Sequence, residues 1–413
     1  MPDKLISEDT SEEIKSFPVS LLEESNEAKI TYFKNYTVGH PLLMEAYQKT
    51  LDNIFSNSSQ NIHFLYGPSG VGKTTIFKKL QRDIVQRMFS VLEKDKGRIP
   101  FAALEAPSSD TGSFDWKDFY IRLLEELKEI AIDYKVDYDD LFNNAEFESN
   151  FSDPNRKLRN ALEKALRNRR LVTLIIDEGQ HMMKMASGRK LRSQMDSIKS
   201  LASLSRTPIL LIGTYELLQF TNLSGQLARR SDDVHFERYK IEKKGDMEKF
   251  ENVLFMFQKN MPLEVTPDLV NYADYFYERS IGCIGILKDW LVKTLDMKLQ
   301  KGNKSLLIDD FQEYSLSLDQ CIKIIREARE GEMKLEDSEE KKNFLYSLLM
   351  ANGKPVEDTE EEKIKKEEPQ KQNEKQTNKP RGKNRRPGTR NPKRDKVGGK
   401  SEEVETKSVE EVG

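Results

Sequence analysis

Apolar residues are spaced along this chain in two rhythms. Ile62-His63-Phe64-Leu65-Tyr66, Leu171 to Ile176 and Pro208 to Gly213 are short runs with almost no polar alternation, the pattern of strands buried on both faces of a parallel sheet. Arg98 to Glu105 and Val234 to Tyr239 read as two further strands. Between the runs the period lengthens to that of a helix. Leu42, Leu43, Ala46, Tyr47, Leu51 and Ile54 form one such set; Ile76, Leu80, Ile84, Val85 and Met88 a second; Phe119, Leu123, Leu127 and Ile130 a third. Asn155 to Arg170 is a basic amphipathic helix best read as a solvated outer face.

Strands alternating with helices indicate an α/β fold with a parallel sheet flanked by helices, here over residues 31–242. Residues 243–331 are helical throughout and read as a small helical lid whose aromatics are core. Residues 1–30 form a polar, acidic extension. From 332 to 413 apolar periodicity is lost, which predicts a charged, largely disordered tail.

The first chemical motif follows the first strand. Gly67-Pro68-Ser69-Gly70-Val71-Gly72-Lys73-Thr74, continued by Thr75, is a complete Gly-x4-Gly-Lys-Thr pattern between a predicted strand and a predicted helix. Glycines let successive N–H groups face phosphate oxygens, and the helix N-terminus adds positive partial charge. Lys73 supplies a mobile cation to the β- and γ-phosphates of ATP, and the Thr74 hydroxyl is a Mg²⁺ ligand. The apolar run ending at Asp177-Glu178 adds a carboxylate for the Mg²⁺ shell and one to orient or deprotonate the attacking water. Thr214 closes the run Pro208 to Gly213 and can reach the γ-phosphate or that water. Arg229 and Arg230 precede the last strand; one of them, undetermined which, would project to the γ-phosphate site of a neighbouring subunit.

Composition adds limits more than direction. At 413 residues the chain has room for two or three structural units. Its two cysteines, Cys283 and Cys321, give neither a disulfide framework nor zinc spacing. The N-terminus lacks a basic start with an apolar core, and no run is long enough to cross a bilayer. A cytoplasmic protein without a membrane partner is expected. Net charge is only −3, so any nucleic-acid contact must come from local basic runs. Lys184, Arg189, Lys190 and Arg192 are the DNA candidates, with Lys117 a further one. The tail between Lys379 and Lys396 is strongly basic and free of aromatics, so it could grip phosphates or an acidic protein face but not stack on bases.

Taken together, these motifs resemble an AAA+ ATPase of the initiator-like branch. More closely, residues from about Tyr32 to Leu295 resemble the TnsC/TniB family of transposition regulators. The resemblance is carried by His40-Pro41, the segment Gly67 to Thr75, Ile176-Asp177-Glu178-Gly179-Gln180-His181, Gly213-Thr214, Gln226-Leu227-Ala228-Arg229-Arg230 and Ile281-Gly282-Cys283-Ile284-Gly285. Arg390-Asn391-Pro392-Lys393-Arg394-Asp395 is similar to tails of that group. The chain departs from the family in lacking a sensor 2 arginine near Gly282, which leaves Lys288 as the substitute.

The resemblance implies Mg²⁺-dependent ATP hydrolysis that acts as a clock for disassembly. It also implies homo-oligomeric rings or filaments on duplex DNA, largely independent of sequence, that link transposase subunits to a target-selecting protein or RNA-guided complex. Two other classes fit the same motifs: a signalling NTPase that acts on a protein without DNA, and a replication-initiator or helicase-loader ATPase. The absence of a helix-turn-helix or winged-helix signature disfavours an initiator.

Overall fold

The computed structural model describes residues 15–56, 60–108, 114–130, 132, 154–183, 189–221 and 231–350. The chain divides into two compact units, Met1–Asp337 and Ser338–Gly413.

In the first unit, strands β1 (Ile62–Tyr66), β2 (Phe101–Glu105), β3 (Thr173–Asp177), β4 (Ile209–Gly213) and β5 (Ser231–His235) form one sheet in the order β2-β3-β4-β1-β5. Every pairing is parallel. Helices α1 (Asn26–Asn35) and α2 (Pro41–Phe55) precede β1, α3 (Lys73–Lys94) follows it, and α4 (Trp116–Glu126) and α5 (Pro154–Arg169) lie between β2 and β3. Helix α6 (Arg189–Ser205) leads into β4, and the short α7 (Leu218–Thr221) comes after it.

Alternate residues of β1, β3 and β4 serve two cores, which is why their runs are continuously apolar. Phe64, Leu174, Ile176 and Leu211 face α4, α5 and α6 through Phe119, Leu162 and Ile198. Leu65, Ile175, Leu210 and Ile212 face α2 and α3 through Leu51, Ile76 and Leu80. Strand β5 begins three residues before the run Val234 to Tyr239 and ends at His235. As an edge strand paired, among the described residues, with β1 alone, it tolerates the polar Ser231-Asp232-Asp233 that hid it from an apolar pattern.

The segment read as a lid comprises α8 (Asp246–Asn260), α9 (Ala273–Ser280), α10 (Ile284–Gln300) and α11 (Ile308–Gln312) around Phe250, Phe257, Phe276, Trp290 and Phe311. Helix α1 joins this core through Phe33, so order begins earlier than the apolar spacing suggests. Helix α12 (Leu318–Leu335) returns from the lid to the sheet, where Ala328 enters the core beside Tyr215 and Leu217. It runs past the boundary read at 331 because Glu332 pairs with buried Arg238.

The second unit contains α13 (Glu339–Met350), a helix within the segment read as tail, with Phe344, Leu345, Tyr346 and Leu349 exposed. Residues 351–413, including the basic run, lie outside the described residues. Among the described residues no helix is long and apolar enough to cross a membrane.

Candidate nucleotide-binding site

Strand register brings the chemistry to one edge. Tyr66 is level with Gly213 of β4 and His235 of β5, so the residues that follow, Gly67 and Thr214, leave the sheet side by side. Because β4 is inserted between β1 and β3, Thr214 emerges between the P-loop and the acids at the end of β3. That is the carboxyl edge of a parallel sheet, where ligands bind in open α/β folds.

The P-loop turns into α3 with Gly72 at φ +118°, a conformation closed to side chains, and Lys73 is the first helical residue. Its ammonium donates to the carbonyl oxygens of Gly67 (3.0 Å) and Pro68 (2.9 Å). Burial pushes the Lys73 pKa down to about 8, against the opposing pull of nearby acids, Glu178 foremost. A desolvated cation whose hydrogen bonds are to backbone carbonyls gains from a further anion beside it.

Asp177 accepts the backbone N–H of Glu178 at 2.9 Å, and burial raises its carboxyl pKa. Glu178 turns the chain with φ +51°, left-handed backbone that costs a non-glycine residue about 1 kcal/mol or more. Its carboxylate accepts the side-chain amide of Gln180 and lies 4.0 Å from His181 Nε2. The other end of Gln180, Oε1, accepts the backbone N–H of Thr214 at 3.2 Å. Thr214 Oγ1 is buried and makes no hydrogen bond among the described residues, so its donor and acceptor capacity is unspent.

Thr74, exposed at the start of α3, and Asp177 are hard oxygen donors of the kind Mg²⁺ takes. Mg²⁺ is usually held by one or two carboxylates plus substrate phosphates instead of an all-protein cage. Among the described residues no group of three or more His, Cys, Asp or Glu side chains could hold a metal by itself. The donor set therefore fits Mg²⁺ brought with a nucleotide.

Lys288 does not stand in for a sensor 2 arginine. Its ammonium donates to the carbonyl of Phe33 and sits 3.6 Å from the centroid of the Phe33 ring, with Phe257 and Tyr36 beside it. Burial lowers its pKa to about 7. The residue ties α10 to α1, an arrangement the sequence did not signal because the extension read at residues 1–30 ends inside α1 and Phe33 was assigned to the α/β domain instead of the lid.

Of the DNA candidates, Arg189, Lys190 and Arg192 are exposed at the start of α6, where Arg189 and Arg192 share a groove of about 400 Å³ with Arg159 of α5. Lys117 is exposed in the first turn of α4. Lys184, Arg229 and Arg230 lie outside the described residues. Cys283 and Cys321 are free thiols buried in one small apolar cluster with Ile281.

Residues 56–220 match the family model described as AAA domain. No curated protein matches the chain. Among solved structures the chain is similar to the ORC2 protein of Aeropyrum pernix in its ADP form, at 15% identity over 69% of this chain and 71% of that one, TM-score 0.44. A Walker-type ATPase of Pyrococcus abyssi is similar at 16% identity over 70% and 73%, TM-score 0.39. Domain III of the replication initiation protein DnaA of Thermotoga maritima is similar at 14% identity over 72% and 95%, TM-score 0.37. The matched segment holds the P-loop and four of the five described strands, and the fold is that of an AAA+ P-loop NTPase.

Proposed function

We propose that the chain is an ATP-hydrolysing, DNA-binding regulator of DNA transposition that assembles on target DNA and links a target selector to the transposase. The observation that carries the enzymatic part is the meeting of Lys73, Glu178 and Thr214 at the carboxyl edge of the sheet, with Gln180 between the last two. ATP entering the P-loop offers Lys73 its β- and γ-phosphates in place of the Gly67 and Pro68 carbonyls. The unspent hydroxyl of Thr214 faces the terminal phosphate, and Glu178 orients the attacking water and takes its proton. Thr74 and Asp177 would hold Mg²⁺, which neutralises charge between the β- and γ-phosphates when bound.

The transposition part rests on the motif set shared with TnsC/TniB regulators, from His40-Pro41 through Ile281 to Gly285. Arg229 or Arg230 completes a neighbour's site, so assembly depends on nucleotide and hydrolysis ends it. DNA is held through phosphates by the exposed cations at the start of α6, without reading bases.

Electron micrographs of the full chain with duplex DNA and a slowly hydrolysed ATP analogue test this reading. Rings or filaments that follow the DNA and vanish with ADP support it. Dispersed particles that ignore DNA under every nucleotide condition would favour a signalling NTPase instead.

A further inference from the structure

Gln180 is 6% exposed, and its amide has partners at both ends. Thr214 N–H is a donor and needs the amide oxygen; the Glu178 carboxylate is an acceptor and needs the amide nitrogen. Only one orientation of the side chain satisfies both. The amide is also held sterically, because a Cβ on Gly213 would overlap Gln180 Oε1. Gly179 is enclosed as well, with Leu211 and Leu217 side chains 3.3 Å from where its Cβ would stand. The turn after β3 therefore presents Gln180 in one pose between two strand ends.

We infer that Gln180 is a positioning residue for hydrolysis, joining the carboxylate of Glu178 to the backbone of Thr214 so that the water-activating group and the hydroxyl facing the terminal phosphate share one geometry. The inference rests on the ATPase reading above. Glu178 starts from a left-handed backbone position, and among the described residues the ion pair of its carboxylate is with His181 at 4.0 Å, so its side-chain hydrogen bond comes from the Gln180 amide. With Gln180 in place, a shift of Thr214 toward a bound phosphate moves the hydrogen-bond partner of Glu178 as well. An amide suits this better than an acid or a hydrocarbon, since a carboxylate at 180 would repel Glu178 and an apolar side chain would leave the Glu178 carboxylate and the Thr214 N–H without this partner.

The test compares full-length wild type, Gln180→Leu, Gln180→Glu, Glu178→Gln and the double variant Glu178→Gln/Gln180→Leu. Steady-state ATP turnover with Mg²⁺ is measured together with affinity for a fluorescent ATP analogue. Gln180→Glu is isosteric and keeps an acceptor for Thr214 N–H, so it removes the donor to Glu178 without opening a cavity. Both Gln180 variants are expected to lose about 10–100-fold in kcat with analogue affinity held within about threefold. Adding Gln180→Leu to Glu178→Gln is expected to cost nothing further, because the two act as one unit. Wild-type kcat in the Gln180 variants would overturn the inference, as would losses that multiply with that of Glu178→Gln or that track lost nucleotide binding. If Glu178→Gln abolishes turnover while Gln180→Glu does not, only the inference fails. If wild type turns over no ATP, the ATPase reading fails and takes the inference with it.

Discussion

The backbone N–H of Ile286 donates to the carbonyl oxygen of Gly70 at 3.0 Å, so the first turn of the lid helix α10 rests on the P-loop itself. Gly285 permits this approach, since a Cβ there would overlap that same carbonyl. Gly285→Ala should strengthen the isolated helix by about 1 kcal/mol and yet push the lid off the P-loop, an overlap costing about 1–3 kcal/mol. Nucleotide affinity should fall roughly tenfold, read by titration with a fluorescent ATP analogue. Unchanged affinity would show that the P-loop does not feel the lid.

His40 makes folding acid-sensitive. Its Nδ1 accepts from the Tyr239 hydroxyl at 3.0 Å and from the Leu43 N–H at 3.4 Å, capping α2. Burial lowers its pKa to about 4. The unfolded chain, with an imidazole near 6.5, takes up the proton first, so this contribution is complete above about pH 6.5 and is lost as pH falls toward 4. The expected loss is about 2 kcal/mol by pH 5. His40→Asn, which keeps a cap without titrating, should show a smaller drop between pH 7 and pH 5 in urea unfolding; an equal drop would place the acid sensitivity elsewhere.

Glu332 anchors α12. Its carboxylate lies 3.0 Å from Arg238 Nε, accepts from Nη2 at 3.2 Å, and lies 3.6 Å from Lys240. The Nε approach is off the donor direction and acts through charge. Glu332→Ala leaves a guanidinium buried without its partner and should cost about 3–5 kcal/mol. Replacing Arg238 and Glu332 together by Met and Leu should recover most of it, measured as the urea midpoint. A loss under 1 kcal/mol in the single variant would contradict this role.

Glu178→Gln should separate binding from chemistry. ATP affinity should persist while turnover falls about 100-fold or more, leaving longer-lived assemblies. Mixing Lys73→Ala with a chain altered at Arg229 and Arg230 should restore part of the turnover, because each partner supplies an intact half-site. No restoration at any mixing ratio would count against an arginine acting in trans.

Strands β1, β3 and β4 were legible because burial on both faces leaves a continuous apolar signature, β2 because Phe101 to Leu104 are apolar although it lies at an edge, and the P-loop because its residue types admit few other conformations. Strand β5 was displaced in the reading because an edge position needs fewer apolar residues. Helix α1 was missed because only Phe33 of its ten residues is buried. Gln180 stood in a recognised motif without a role, since its partner Thr214 becomes a neighbour only through the insertion of β4 beside β3. Lys288 was the right charge in the right helix, but the aromatic rings of α1 and the lid decide where it points.

The central claim is that ATP assembles this chain on DNA. The most direct measurement is duplex affinity as a function of salt for wild type and Lys73→Ala, with ATP or ADP, together with a chain truncated after Ala351 and a variant neutralised at Lys184, Arg189, Lys190 and Arg192. The account predicts binding that needs ATP and Lys73, ignores sequence, weakens steeply with salt through counterion release, survives truncation and is lost on neutralisation. Binding that is indifferent to nucleotide, or that resides wholly in the truncated tail, would contradict it.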